Sequence, residues 1–225
     1  MVTKDLTVVY ITANETPDGW ATFQMGHFLE AVGKLPIISI SRKPINLGTN
    51  LIDNEQKCYW NIYRQLLRGA KHADTEFIAM AEDDVLYSKE HFTCFRPLKD
   101  EVGYNRSRWT LLAWEALYSL KQRVSNCSLI APRELLIEAL QERMDKHLDG
   151  MTDFAGEIGR KEIERGLGVT HRKMVDFFSE VPIVQLSHIN GTEHRQRIKR
   201  KKHGQIKAYD IPYWGKASDI IKHYE

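Results

Sequence analysis

Phe77-Ile78-Ala79-Met80-Ala81-Glu82-Asp83-Asp84-Val85-Leu86-Tyr87 is the stretch on which the fold turns. Its first five residues are apolar and free of helix caps, the pattern of a short buried strand, and they run straight into three consecutive carboxylates. Desolvation and mutual repulsion make such a cluster costly at a sheet edge unless a cation or solvent offsets it. Hard oxygen ligands of this kind suit Mg2+ or Mn2+, and a metal held there can hold a diphosphate. A solvated turn after a strand reads the triplet equally well.

Upstream of this stretch, strands and helices alternate. Leu6-Thr7-Val8-Val9-Tyr10-Ile11-Thr12 is rich in β-branched residues and stops at the turn signal Asn14-Glu15-Thr16-Pro17-Asp18-Gly19. Met25, Phe28, Leu29 and Val32 then fall at helical spacing over residues 23–34, and Pro36-Ile37-Ile38-Ser39-Ile40 reads as a second strand. Residues 41–50 read as a loop. A helix over 54–72 follows, its stripe formed by Cys58, Ile62, Leu66 and Ala70. The order predicts an α/β fold: a Rossmann-like mixed, mostly parallel sheet flanked by helices, with ligands bound beyond the carboxyl ends of its strands. Glu82-Asp83-Asp84 falls at such an end.

The second half departs from simple alternation. Residues 104–116 are aromatic-rich, 127–131 read as another strand, and Pro132 opens a helix carrying Leu136, Leu140 and Met144. A glycine-punctuated loop surrounds Asp153-Phe154-Ala155-Gly156-Glu157, and Ile183-Val184-Gln185-Leu186-Ser187 reads as a late strand ending at His188. A histidine there can complete a metal shell begun by the carboxylates, or can be a structural residue. The run Arg195-Gln196-Arg197-Ile198-Lys199-Arg200-Lys201-Lys202-His203 calls for solvent or anions. Its near end suits a donor diphosphate, and Lys199, Arg200, Lys201 and Lys202 suit a nucleic-acid backbone; a solvated loop is the alternative.

Composition narrows the class. With 225 residues, 42% hydrophobic and 28% charged, the chain has material for a full core and reads as a single domain over 1–225. A net charge of only +2 means that any polyanion site must come from local clustering. Cys58, Cys94 and Cys127 are far apart and form no CxxC pair, which disfavours disulfides and zinc and fits a reducing cytoplasm. No signal-peptide core or membrane-spanning run is expected.

The combination of Ala81-Glu82-Asp83-Asp84-Val85-Leu86-Tyr87 with His91-Phe92, Tyr104-Asn105, Trp109, Arg133-Glu134-Leu135-Leu136 and His188-x-Asn190-Gly191-Thr192 resembles the GT-A-type, sugar-nucleotide-dependent glycosyltransferases, in particular small bacteriophage and bacterial ones. The resemblance covers most of residues 6–215 and implies a division into a donor half (1–100), an acceptor-side part (101–180) and a metal- and phosphate-binding end (181–225). It implies that Thr12, Ala13 and Asn14 meet the nucleotide, with Lys57 on the following helix as a further donor contact. Glu82 and Asp84 occupy the acidic positions of a DxD-like motif, Asp84 as metal ligand and Glu82 as a ligand or a contact to ribose or metal-bound water, while Asp83 shapes the turn beside the donor. His188 matches the late metal-binding histidine, with Arg195 and Arg197 as diphosphate contacts.

The implied donor is a nucleoside-diphosphate sugar, a UDP-sugar first, with Mn2+ or Mg2+ as cofactor. An inverting transfer needs a carboxylate base, for which Asp153 and Glu157 are the candidates; a retaining one can use donor phosphate. The phage-like resemblance and the basic run together imply a hydroxymethylated pyrimidine in duplex DNA as acceptor. Trp109, Trp114, Tyr118, Tyr213 and Trp214 are candidates to stack on an extruded base, or core residues. A saccharide acceptor is the alternative among enzymes, and a non-catalytic nucleic-acid-binding protein on the same fold is the alternative outside them.

Overall fold

The computed structural model describes residues 5–120, 123–148, 150, 156–188, 204 and 206–224. Its first strand, β1 (Leu6–Thr12), is buried along its whole length. Helix α1 (Asp18–Val32), strands β2 (Ile37–Ser41) and β3 (Thr49–Ile52), helix α2 (Tyr59–His72) and strand β4 (Phe77–Glu82) follow. The second half supplies β5 (Val85–Leu86), α3 (Lys89–Thr93), β6 (Glu101–Asn105), β7 (Arg108–Leu112), β8 (Leu117–Leu120), a 3-10 turn (Asn126–Ser128), β9 (Leu129–Pro132), α4 (Arg133–Lys146), α5 (Lys161–Leu167), β10 (Lys173–Phe177) and β11 (Ile183–Ser187). Short strands β12 (Lys207–Ala208), β13 (Asp210–Ile211) and β14 (Gly215–Lys216) lead into helix α6 (Ala217–Ile221).

Seven strands form the main sheet in the order β10-β6-β9-β4-β1-β2-β3. Every pairing in it is parallel except those of β9, which runs antiparallel to both β4 and β6. Strand alternation sends side chains to two cores. Val9, Ile11, Ile78 and Met80 meet Leu66 and Ala70 of α2 and Leu136 and Leu140 of α4 on one face. Leu6, Val8, Tyr10 and Ala79 meet Phe28 and Val32 of α1 and Phe92 of α3 on the other. The α/β expectation of a mixed, mostly parallel sheet flanked by helices therefore holds.

A second sheet, β12-β8-β7-β11-β5, is joined to the first through the turn between β4 and β5. Its apolar side, with Leu111, Tyr118, Val184 and Leu186, packs against Trp20, Trp214 and Ile220. The two sheets share an end, and the acidic triplet sits at their junction.

Several boundaries differ from expectation. Helix α1 starts at Asp18 because the carbonyl of Pro17 already accepts the first helical hydrogen bond, from Ala21 at 2.9 Å. Within the stretch read as a loop, residues 49 and 50 open β3, whose pairing with β2 overrides a polar local sequence. Pro132 closes β9 and precedes α4 instead of lying inside it. Helix α2 begins at Tyr59, so Lys57 belongs to the loop before that helix, and Cys58 is exposed instead of buried in its stripe. No helix among the described residues is long and apolar enough to cross a membrane.

Candidate active site

The carboxyl ends of β1 and β4 lie side by side, with Ile11 opposite Glu82 in the parallel register. Parallel strands flanked by helices open a crevice at this end. Residues from four places in the sequence line it: Ala13, Glu15 and Arg42 beside β1 and β2, Lys57, Asn61 and Gln65 around the start of α2, Glu82, Asp83 and Asp84 after β4, and Gln185, Ser187 and His188 at the end of β11. Ser125, Asn126 and Glu157 close its far wall.

The acidic turn is fastened from three directions. From β1, the Thr12 hydroxyl donates to Asp83 Oδ2 at 2.5 Å and itself accepts the backbone N–H of Asn14 at 2.8 Å. From α1, Trp20 Nε1 donates to the Asp83 carbonyl at 2.9 Å and Gln24 Nε2 to the Val85 carbonyl at 3.0 Å. From β11, the Leu186 N–H donates to the Asp84 carbonyl at 2.7 Å. The turn is therefore tied to β1, α1 and β11 at once, the kind of support a preorganised site needs.

Its electrostatics are strained. Burial pushes the Asp84 carboxyl well above the usual carboxylate range, Glu82 and Asp83 push it further, and a hydrogen bond with Gln185 only partly restores it. Burial also raises Asp83, opposed by the Thr12 hydroxyl. Among the described residues Asp84 Oδ1 has no hydrogen-bond partner, although it is buried. His188 Nδ1, which also lines the crevice, is likewise buried with no hydrogen-bond partner among the described residues, and burial followed by repulsion from Lys57 lowers its basicity, which favours the neutral imidazole. A neutral imidazole is the form that binds metals. Among the described residues no three His, Cys, Asp or Glu side chains gather into a group that could hold a metal ion by themselves. The donors available are thus an orphaned carboxylate oxygen and an orphaned imidazole nitrogen lining one crevice, with Glu82 beside them. They fit a divalent cation whose remaining positions are filled from outside the chain.

Seven of the sixteen candidate residues share one crevice. Ala13, Lys57, Glu82, Asp83, Asp84, Glu157 and His188 all line the crevice. Thr12 is buried and acts through Asp83. Asn14 adopts the left-handed conformation at φ 55°, and its side-chain oxygen accepts the backbone N–H groups of Arg42 and Lys43, each at 2.9 Å. Asparagine tolerates that conformation well, so the position organises the loop after β2. Lys57 forms an ion pair with Glu15, and Glu157 one with Arg160 at 3.2 Å. Asp153, Arg195, Arg197, Lys199, Arg200, Lys201 and Lys202 lie outside the described residues.

The aromatic candidates divide. Tyr118 and Trp214 are buried in the core of the second sheet, and Trp109 packs edge-on against Tyr118, whereas Trp114 and Tyr213 are exposed.

Two features of the crevice have no counterpart in the sequence reading. Asp53, buried just after β3, accepts from Asn61 Nδ2 at 2.7 Å and Gln65 Nε2 at 2.8 Å, fixing two amide side chains that line the crevice. Arg108 is buried in β7, donates to Gln185 Oε1 and, at 2.8 Å, to the Arg123 carbonyl, and has no carboxylate in ion-pair distance among the described residues. A cation is thus held behind the glutamine that touches Asp84. An arginine opening a mostly apolar strand, Arg108-Trp109-Thr110-Leu111-Leu112, is the signal that marks it in sequence.

No family model matches the chain, and no curated protein matches its sequence. Among solved structures, it is similar to the bifunctional IspDF from Campylobacter jejuni, at 11% identity and a TM-score of 0.45, covering 78% of this chain. It spans 50% of the length of that protein. It is also similar to the mannosyltransferase PcManGT from Pyrobaculum calidifontis in complex with GDP-Man and Mn2+, at 11% identity and a TM-score of 0.47, covering 97% of this chain and 68% of that one. A third is a Drosophila β-1,4-galactosyltransferase 7 mutant in complex with manganese, UDP-Gal and xylobiose, at 13% identity and a TM-score of 0.41, covering 88% and 77%. At these TM-scores and identities the overlaps assign this chain neither a ligand nor an activity.

Proposed function

We propose that this protein is a GT-A-type glycosyltransferase that moves a sugar from a nucleoside-diphosphate sugar to an acceptor hydroxyl with the help of Mn2+ or Mg2+. The observation that carries this reading is the pair of orphaned atoms, Asp84 Oδ1 and His188 Nδ1, buried at the same crevice beside Glu82 and Asp83. Leaving buried polar atoms unpaired costs about 1–3 kcal/mol each, so their persistence supports an external ligand. A divalent cation, when bound, offsets the charge that builds on the departing diphosphate. Asp84 and His188 would hold it, with Glu82 as a third ligand or a contact to its water.

The chain's own residues account for the remaining requirements. Thr12, Ala13 and Asn14 with the Arg42 loop form the base and ribose side, and Lys57 adds positive charge near the phosphates. The acceptor oxygen bonds to the anomeric carbon as the bond from that carbon to the diphosphate oxygen breaks, and the hydroxyl proton passes to a carboxylate or to donor phosphate. Glu157, which lines the crevice and pairs with Arg160, is the proposed carboxylate, with Asp153 as the other candidate.

As acceptor we propose a 5-hydroxymethylpyrimidine in duplex DNA. The basic run through Lys199, Arg200, Lys201 and Lys202 supports it, and Arg195 and Arg197 are proposed to contact the donor diphosphate. The test is to incubate the protein with a panel of nucleotide sugars, Mn2+ or Mg2+, and DNA containing hydroxymethylcytosine or hydroxymethyluracil, then weigh the digested nucleosides by mass spectrometry. A hexose or pentose added to the modified base supports the proposal. Sugar-nucleotide turnover with saccharides alone moves the acceptor to the saccharide class, and DNA binding without uptake of any nucleotide sugar replaces the enzyme reading by a binding module.

A further inference from the structure

A second groove lies behind the far wall of the crevice, and its lining is dominated by cations: Arg106, Arg123, Arg160, Lys161 and Lys173 against the single acid Glu162. Three of these cations are offset by carboxylates, so the charge open to a polyanion rests on Arg123 and Lys161, with the paired arginines and lysine beside them. Arg106 pairs with Asp176 at 3.0 Å, Arg160 with Glu157 at 3.2 Å and Lys173 with Glu101 at 2.7 Å. Arg123 and Lys161 are exposed and have no carboxylate in ion-pair distance among the described residues.

The two depressions share a wall. Residues 125–126 and 156–157 face the crevice, while residues 123–124 and 159–160 face the groove. One side of the wall therefore presents the acid proposed to accept the acceptor's proton, and the other presents the arginine paired with that acid. A polymeric acceptor that places one unit in the crevice would lay its neighbouring units over this wall.

We infer that this groove is the docking site for the phosphate backbone of the acceptor strand, next to the nucleotide being modified. The inference rests on the DNA-acceptor reading above and deepens it by naming the surface. Three of the five cations are arginines, whose planar forks match phosphate oxygens, and an open groove of fixed and free cations binds a backbone without reading bases.

The test is fluorescence-anisotropy binding of a hydroxymethylcytosine-containing duplex over a series of salt concentrations. It compares the unaltered protein with the double variant Arg123→Glu/Lys161→Glu and the milder Arg123→Gln/Lys161→Gln, thermal melts serving to verify folding. Both positions are exposed, so both variants are expected to fold. The charge-reversed variant is expected to bind at least tenfold more weakly near 0.1 M salt, and the neutral one to lose about 2 from the slope of log affinity against log salt. Affinity for the nucleotide sugar, measured without DNA, is expected to stay unchanged in both. Unaltered DNA affinity and slope in the variants, with the parent protein binding, overturn the groove and leave the DNA acceptor standing. A parent protein that takes up the nucleotide sugar but binds no duplex overturns the groove and the DNA acceptor together, and leaves the transferase reading intact.

Discussion

The Thr12 hydroxyl donates to Asp83 Oδ2 at 2.5 Å, so the end of β1 and the turn after β4, 71 positions apart in sequence, are a single polar unit. The same hydroxyl accepts from the Asn14 N–H, which links the acidic turn to the loop proposed to hold the nucleotide. Thr12→Val keeps the strand shape and removes both bonds. It is expected to cost about 1–2 kcal/mol of stability, because Asp83 is left buried without its donor. Affinity for the nucleotide sugar is expected to fall about tenfold, the equivalent of about 1.4 kcal/mol. Denaturant melts and titration calorimetry with the donor check the two effects separately.

Asp84 carries a cost in the metal-free protein. Burial and its acidic neighbours raise its carboxyl above the ordinary range, so the folded state holds its proton more tightly than the unfolded state does. Stability from this group is present at low pH and declines as pH rises from the ordinary carboxylate range through the raised one. Asp84→Asn is therefore expected to be more stable than the parent near neutral pH in chelator, by about 1 kcal/mol, while transfer activity drops at least ~100-fold. Added Mn2+ is expected to raise the melting temperature of the parent and not that of the variant. A variant less stable than the parent in chelator contradicts the account.

His91 gives a pH dependence of the opposite sense. It is fully buried on α3, its Nδ1 lies 3.2 Å from Asn105 Nδ2, and burial lowers its pKa to about 3. The unfolded chain takes up a proton near the ordinary histidine value of ~6.5, and the folded chain does not. Stability is thus fully present above that value and is lost as pH falls toward about 3. Urea melts at pH 7.5, 6.0 and 5.0 should show a steeper decline for the parent than for His91→Gln, which has no proton to gain there; equal slopes count against it.

Close approach of α2 to β1 depends on one missing side chain. A Cβ on Gly69 would stand 2.5 Å from Val9 Cγ1, and Val9 is a fully buried, β-branched residue with little freedom to turn. Gly69→Ala is expected to destabilise by about 1–3 kcal/mol despite the better helix propensity of alanine. The midpoint of chemical denaturation is the readout. A gain in stability shows that the sheet and helix can separate without penalty.

The strands that carry the crevice were legible because they are mostly apolar and, in β1 and β11, rich in β-branched residues. The boundaries of β1 and β11 are those read from β-branched runs, and β4 differs only by the inclusion of Glu82. What escaped was structure imposed from elsewhere in the chain. β3 is polar at two of its four residues, Thr49-Asn50-Leu51-Ile52, and is a strand because β2 offers it a free edge. β10 and α5 lie in a stretch too mixed for any period to stand out. Among the crevice residues, the acidic triplet and His188 announced themselves at strand ends. Arg108, Gln185 and the Asp53 pair with Asn61 and Gln65 did not, since their roles come from contacts across 8 to 77 positions that no local pattern encodes.

Strand β9 is the reversed member of the main sheet, and its direction decides which linker is functionally exposed. For the parallel strands, the segment that follows the strand reaches the crevice, as after β1 and β4. For β9 it is the segment that precedes it, and Ser125 and Asn126 accordingly line the crevice while Pro132 leads away into α4. Tolerance of insertions should be inverted around this strand alone: lengthening the chain just before Leu129 alters what the crevice can admit, whereas the junction on its other side is insulated from the chemistry and constrained only by packing.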